Sequence, residues 1–146
     1  MDDERYMKMA LDEARRALEL GEVPIGAVVV GGNRVLARAH NLTQTLSDPT
    51  AHAEMQAITS ACHAVGGKYL PQCTIYVSVE PCPMCAAALY WAQIGGLVYG
   101  ADDPKRGYSI VSPNVLHPKT IVKKGVLQME CSALVKEFFE KIRRKI

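Results

Sequence analysis

Two short segments of this chain carry residue types that bind metals and move protons. Cys82 and Cys85 form a C-x-x-C within Pro81-Cys82-Pro83-Met84-Cys85, and His52-Ala53-Glu54 lies upstream of them. Side chains three apart on a helical turn share a face. A helix N-terminus also lowers thiol pKa, so thiolates form readily there. Taken alone, the C-x-x-C has three readings: half of a zinc site, a redox dithiol, or chance packing of small apolar residues. His52 alone reads as a structural histidine. Glu54 alone reads as an acidic residue in a first turn, where the helix dipole favours it. Together they read differently. His52, Cys82 and Cys85 supply three ligands and leave a tetrahedral zinc with one open position, as catalytic sites do; structural sites use four protein ligands. Zinc lowers the pKa of a water in that position to about 7, and a carboxylate two residues beyond the histidine can take its proton and redeliver it. The order of residues excludes the H-E-x-x-H arrangement of zincins.

The elements that must hold these segments follow from periodicity. Met7, Ala10, Leu11, Ala14, Ala17 and Leu18 fall on one face of a helix over about residues 3–20, stopped by Gly21. Ile25 to Val30 reads as a buried strand, Gly31-Gly32-Asn33 as a turn, and Arg34 to Ala39 as an edge strand guarded by Arg34 and Arg38. A polar loop over 41–49 leads to a helix from Thr50. Its stripe of Ala53, Ala57, Ala61 and Ala64 predicts close packing on a sheet, with Gly66-Gly67 as its stop. Thr74 to Val79 is a strand, Pro83 to about Gln93 a helix apolar almost all round, and Gly96 to Gly100 another strand. After a long loop over 101–119, a strand opens at Thr120. A closing helix turns Leu134, Val135, Phe138, Phe139 and Ile142 inward. A hairpin followed by alternating helices and strands predicts an α/β fold: a three-layer α/β/α domain with a mixed sheet between helices.

Composition agrees with that architecture. The chain has 146 residues, 49% hydrophobic and 22% charged, which excludes a disordered polymer and fits one domain over 1–146. Its longest apolar runs, such as Ile25 to Gly32, fall far short of the roughly 20 residues that span a bilayer. The N-terminal segment is charged and amphipathic, without the apolar core of a signal peptide. Five cysteines, an odd number, suit a reducing compartment, so the expected location is cytoplasmic. Cys62, Cys73 and Cys131 carry no motif and read as small hydrophobes. The net charge of +2 hides an asymmetry: residues 117–146 hold eight basic and three acidic side chains. Lys105 and Arg106 in the long loop, with Lys141, Arg143, Arg144 and Lys145 at the chain end, are the cations available to phosphates.

The two chemical segments together resemble the signature of zinc nucleoside and nucleobase deaminases. Glu22 to Val28, Asn41, Asp48 to Glu54 and Ile94 to Ala101 narrow the resemblance to bacterial tRNA-specific adenosine deaminases, over nearly the whole chain. Two departures stand in the long loop: Lys105-Arg106-Gly107-Tyr108-Ser109 replaces a small-residue segment common in that family, and the stretch leading to His117-Pro118-Lys119-Thr120 is short. The resemblance implies a cytidine deaminase-like fold with a five-stranded sheet, one Zn2+ per chain on His52, Cys82 and Cys85, and Glu54 as the catalytic proton carrier. It further implies Asn41 and the backbone of Ala53 as substrate contacts, the adenosine at the wobble position of a tRNA anticodon stem-loop as substrate, and a homodimer. A free-base deaminase acting on guanine or cytosine is the alternative, since Cys-Pro-Met-Cys followed by Tyr90-Trp91-Ala92 also resembles the guanine deaminase branch. A non-catalytic zinc-stabilised module would need a fourth protein ligand and leaves Glu54 unused.

Overall fold

The computed structural model describes residues 2–144. Helix α1 (Asp2–Glu19) leads into β1 (Gly26–Gly31) and β2 (Arg34–His40). Gly32 and Asn33 between these strands both take positive φ, 57° and 62°, the two-residue left-handed turn whose twist matches a hairpin. Then follow α2 (Ala53–Val65), β3 (Cys73–Val79), α3 (Pro83–Trp91), β4 (Gly96–Ala101), α4 (Tyr108–Val111), β5 (Ile121–Lys124) and α5 (Gln128–Arg144). The five strands form one mixed sheet in the order β2-β1-β3-β4-β5. β1 is antiparallel to β2 and β3, while β3, β4 and β5 run parallel. The expected α/β architecture, with β2 on an edge, is the one observed.

Alternation along the strands assigns the two faces. Val28, Val30, Tyr76 and Val98 pack with Tyr6, Met7, Ala10 and Leu11 of α1 and Cys131 of α5. Ala27, Val29, Ile75, Val77 and Leu97 pack with Ala53, Ala57 and Ala61 of α2 and Ala86 and Leu89 of α3. The alanine stripe of α2 is fully buried except for Ala64, which is exposed near the helix end. Small side chains there let the helix, and so its N-terminus, lie close on the sheet. On the other side Gly26 has the same effect: a Cβ at this position would strike the Ala10 carbonyl of α1.

Four elements differ from the sequence-based expectations. The stretch 101–119, expected as loop, contains the short helix α4. α2 starts at Ala53 instead of Thr50, because Asp48 Oδ1 accepts from both the Thr50 N–H and the Thr50 hydroxyl (2.8 Å each) and turns the chain before His52. α3 is not buried all round: Tyr90 and Trp91 are exposed, Trp91 by 74%. In α5, Leu134, Val135 and Phe138 are half-buried while Phe139 and Ile142 are exposed, so only the first part of its apolar stripe reaches the sheet. Among the described residues, no helix is long and apolar enough to cross a membrane.

Candidate active site

Two helix N-termini converge on one spot. β3 ends at Val79, and its continuation Glu80-Pro81 delivers Cys82 as the residue before α3. Pro83 occupies the start of α3, where its missing N–H costs nothing, and Cys85 lies in that first turn, fully buried. His52 takes the equivalent place before α2. Both His52 and Cys82 have extended backbones (ψ 154° and 168°), and neither side chain caps its own helix. Each is therefore free to face the other segment.

Their geometry fits a metal. His52 Nδ1 lies 3.7 Å from Cys82 Sγ and 3.5 Å from Cys85 Sγ. A tetrahedral zinc with ligand distances of about 2.0–2.1 Å to nitrogen and 2.3 Å to sulfur separates such atoms by about 3.6 Å. The three ligand atoms all lie within 4.8 Å of one another. Electrostatics favour the same use. A hydrogen bond from the Cys85 thiol, followed by the His52 interaction, brings Cys82 down to about 4, so it is a thiolate at neutral pH. Cys85 is pushed up, because its proton is shared with the Cys82 thiolate and its site is buried. A metal ion in place of that proton would release it. His52 is raised chiefly by its bond to Cys82, which outweighs the opposing effect of burial.

Glu54 sits in the first turn of α2, only 3% exposed. Burial pushes its carboxyl up to about 7, against the opposing pull of its own N–H and of His52. Its protonation energy is therefore balanced at neutral pH, as a group that both takes and gives a proton requires. Ala53 beside it is fully buried, and Asn41, also buried, follows β2. The Asn41 N–H donates to the Ile25 carbonyl (3.1 Å). The predicted site residues thus fall just after β2 and at the starts of α2 and α3, with His52, Cys82 and Cys85 in one cluster.

Sequence reasoning missed the groups that fasten the segments flanking this site. Gln56 Nε2 reaches the carbonyls of His40 (2.9 Å), Ala51 (3.2 Å) and His52 (3.4 Å), fastening the end of β2 to the start of α2. Glu22, fully buried, accepts from Thr43 Oγ1, Gln44 N, and Thr45 N and Oγ1, and so shapes the loop after Asn41. Glu80, 4% exposed, accepts from Asp103 N, Ser109 N and Ser109 Oγ of the long loop. The available signal was an acidic residue close to a strand end: Glu80 directly follows β3, and Glu22 precedes β1 by four residues. Cys62 is half-buried and Cys73 and Cys131 are buried; burial raises each thiol, Cys131 to about 12, and none joins the cluster. Of the chain-end cations, Lys141 and Arg144 pair with Glu137 (3.3 Å) and Glu140 (3.7 Å), and Lys145 lies outside the described residues.

A mixed five-stranded sheet that brings a His/Cys/Cys cluster and a buried glutamate to two adjoining helix N-termini is the build of a cytidine deaminase-like enzyme. The chain belongs to the MafB19-like deaminase family, which it matches over residues 1–143. It is 46% identical to the tRNA-specific adenosine deaminase of Bacillus subtilis (strain 168), over 98% of this chain and 92% of that protein. A solved structure from a study of A-to-I editing by tRNA deaminases at the wobble position of transfer RNA shares the fold with a TM-score of 0.83 at 45% identity, covering 89% of this chain and 98% of that one. The guanine deaminase of Bacillus subtilis is more distant, with a TM-score of 0.69 at 35% identity over 81% of this chain and 79% of its own.

Proposed function

We propose that this chain is a zinc-dependent hydrolytic deaminase, one domain over 1–146, that converts adenosine to inosine at the wobble position of a tRNA anticodon. The observation that carries the chemistry is the spacing of His52 Nδ1 from the two cysteine sulfurs, with the buried Glu54 carboxyl on the same helix turn as the histidine. His52, Cys82 and Cys85 hold one Zn2+. Bound there, zinc supplies an acidified water as nucleophile. Glu54 accepts a proton from the attacking water and passes it to the ring nitrogen beside the reacting carbon; it then takes the remaining proton of the added hydroxyl and delivers it to the departing amine as the carbonyl forms. Water is consumed and ammonia leaves, so adenine becomes hypoxanthine. Asn41 and the Ala53 backbone border the place where the flipped nucleotide enters.

Higher identity and a higher TM-score toward the tRNA-specific relatives than toward the guanine deaminase support an RNA substrate over a free base. An apolar patch of Ile58, Tyr69, Ala88 and Trp91 between α2 and α3 supports a homodimer, because a 74% exposed tryptophan among such neighbours is poorly placed facing water. Five thiols without a disulfide among them suit a cytoplasmic location. The deciding experiment measures ammonia released from anticodon stem-loop RNA and, separately, from guanine, cytosine and adenosine. Turnover of the stem-loop is the expected result. Release from guanine alone assigns the chain to free-base deamination.

A further inference from the structure

The long loop after β4 is tied to the segment that carries Cys82. The Glu80 N–H donates to the Ala101 carbonyl (2.8 Å) where the loop departs, and the Tyr108 N–H donates to the Pro81 carbonyl (2.9 Å) where it returns. The Glu80 carboxylate takes the Asp103 N–H (3.0 Å) within the loop on one oxygen, and on the other the N–H (3.0 Å) and hydroxyl (2.6 Å) of Ser109, in the first turn of α4 just past the return point. Gly107 lies directly over that carboxylate, so closely that a Cβ would land on it. The loop tip is a compact turn in which Asp103 Oδ1 accepts from the Lys105 and Arg106 N–H groups (3.1 and 3.0 Å). The tip's two side chains are exposed, and neither has an ion-pair partner among the described residues. The helix-end cations Lys141 and Arg144 differ in this respect, since each faces a glutamate.

We propose that Glu80 is a positioning residue for nucleic-acid binding: its buried carboxylate clamps the 103–109 loop onto the strand end that leads to Cys82, and thereby holds Lys105 and Arg106 ready for phosphates beside the site. Nothing in this role touches the reacting atoms. A carboxylate is needed because all three loop donors point at it, and an ionised group makes shorter and stronger bonds than an amide. Glycine is needed at 107 because the clamp closes against that backbone. The pre-formed tip lowers the ordering cost of binding RNA. The inference rests on the RNA-substrate reading above.

The test compares the zinc-loaded parent with Glu80→Gln and Gly107→Ala, using an anticodon stem-loop as probe. In both variants KM for the stem-loop and its Kd are expected to rise about tenfold, while kcat stays within about threefold and zinc remains at one per chain. The slope of log affinity against log salt should fall by roughly 0.7 for each phosphate that the loop no longer engages. Independently of any RNA, trypsin cleavage after Lys105 and Arg106 should accelerate at least tenfold. Ser109→Ala, which removes a single donor, should move every readout the same way by less, and it keeps the test usable if Glu80→Gln folds poorly. Unchanged Kd with a loosened loop overturns the proposal, as does a fall in kcat or zinc content that matches the change in KM. A parent that neither binds nor deaminates the stem-loop defeats the RNA reading instead, while the trypsin result still reports on the clamp.

Discussion

Glu54 and Glu22 are both buried glutamates next to the segments that form the site, 3% and 0% exposed, yet they hold their protons oppositely. Burial pushes Glu54 up to about 7. Burial also acts to raise Glu22, but donors from Thr45, Gln44 and Thr43 outweigh it and hold that carboxyl below its ordinary value. What separates them is the number of hydrogen bonds aimed at the charged form. Glu54 stands at a helix start with few donors, so its charge is expensive and its proton is exchangeable. Glu22 is wrapped by the turn at 43–45, so its charged form is favoured and its role is to shape that turn. Burial of an acid does not by itself mark a catalytic group; its donor set decides.

The contrast breaks first at Glu54. Glu54→Gln is expected to lose about 10⁴-fold or more in turnover, since one group serves both the water and the leaving amine. Zinc content and melting temperature should not fall, because a neutral amide is no harder to bury than the carboxylate. Activity within tenfold of the parent would remove Glu54 from the mechanism.

The second expected effect reverses that pattern. Glu22→Gln leaves buried donors facing an amide that can satisfy only some of them, which should cost about 2–3 kcal/mol of unfolding free energy in urea titration. Its kcat on saturating stem-loop should stay within a few-fold of the parent. A large kcat loss at unchanged stability would place Glu22 with Glu54.

pH sharpens the comparison further. The folded pKa of Glu22 is depressed, so its stabilising contribution is present above the unfolded value of about 4.3 and is lost as pH falls through the folded pKa. The stability gap between parent and Glu22→Gln should therefore narrow on acidification below about pH 4.3. A gap independent of pH would mean that the carboxylate's charge plays no part. The smallest effect is expected from Thr45→Val, which removes the hydroxyl donating to Glu22 (2.7 Å) and leaves the Thr45 N–H in place (2.6 Å). A loss of about 1 kcal/mol is the expected reading.

The chemical segments are legible because their signal is local: His52-Ala53-Glu54 and Cys82-Pro83-Met84-Cys85 bring their own helix starts with them. Most elements are also legible, since the apolar stripes of α1 and α2 and the alternation of β2 reflect the packing they meet. The α3 surface misleads because an apolar composition does not reveal that the protein covers only one side of this helix and leaves Trp91 out. Phe139 and Ile142 mislead for a similar reason: the helical period continues past the point where α5 still has sheet beneath it.

By itself the sequence determined the ligand types, their placement at two helix starts and the strand-and-helix order that forms a mixed sheet, because these depend on neighbours within a few residues. Only the tertiary structure decided that the histidine nitrogen and two sulfurs lie about one tetrahedral edge apart, and which glutamate keeps a mobile proton. It also showed that Glu22 and Glu80 reach loops 21–23 and 23–29 residues away. Those outcomes depend on how closely α2 and α3 lie on the sheet and on which backbone donors surround each acid, and such distances are set by packing between segments remote in the chain.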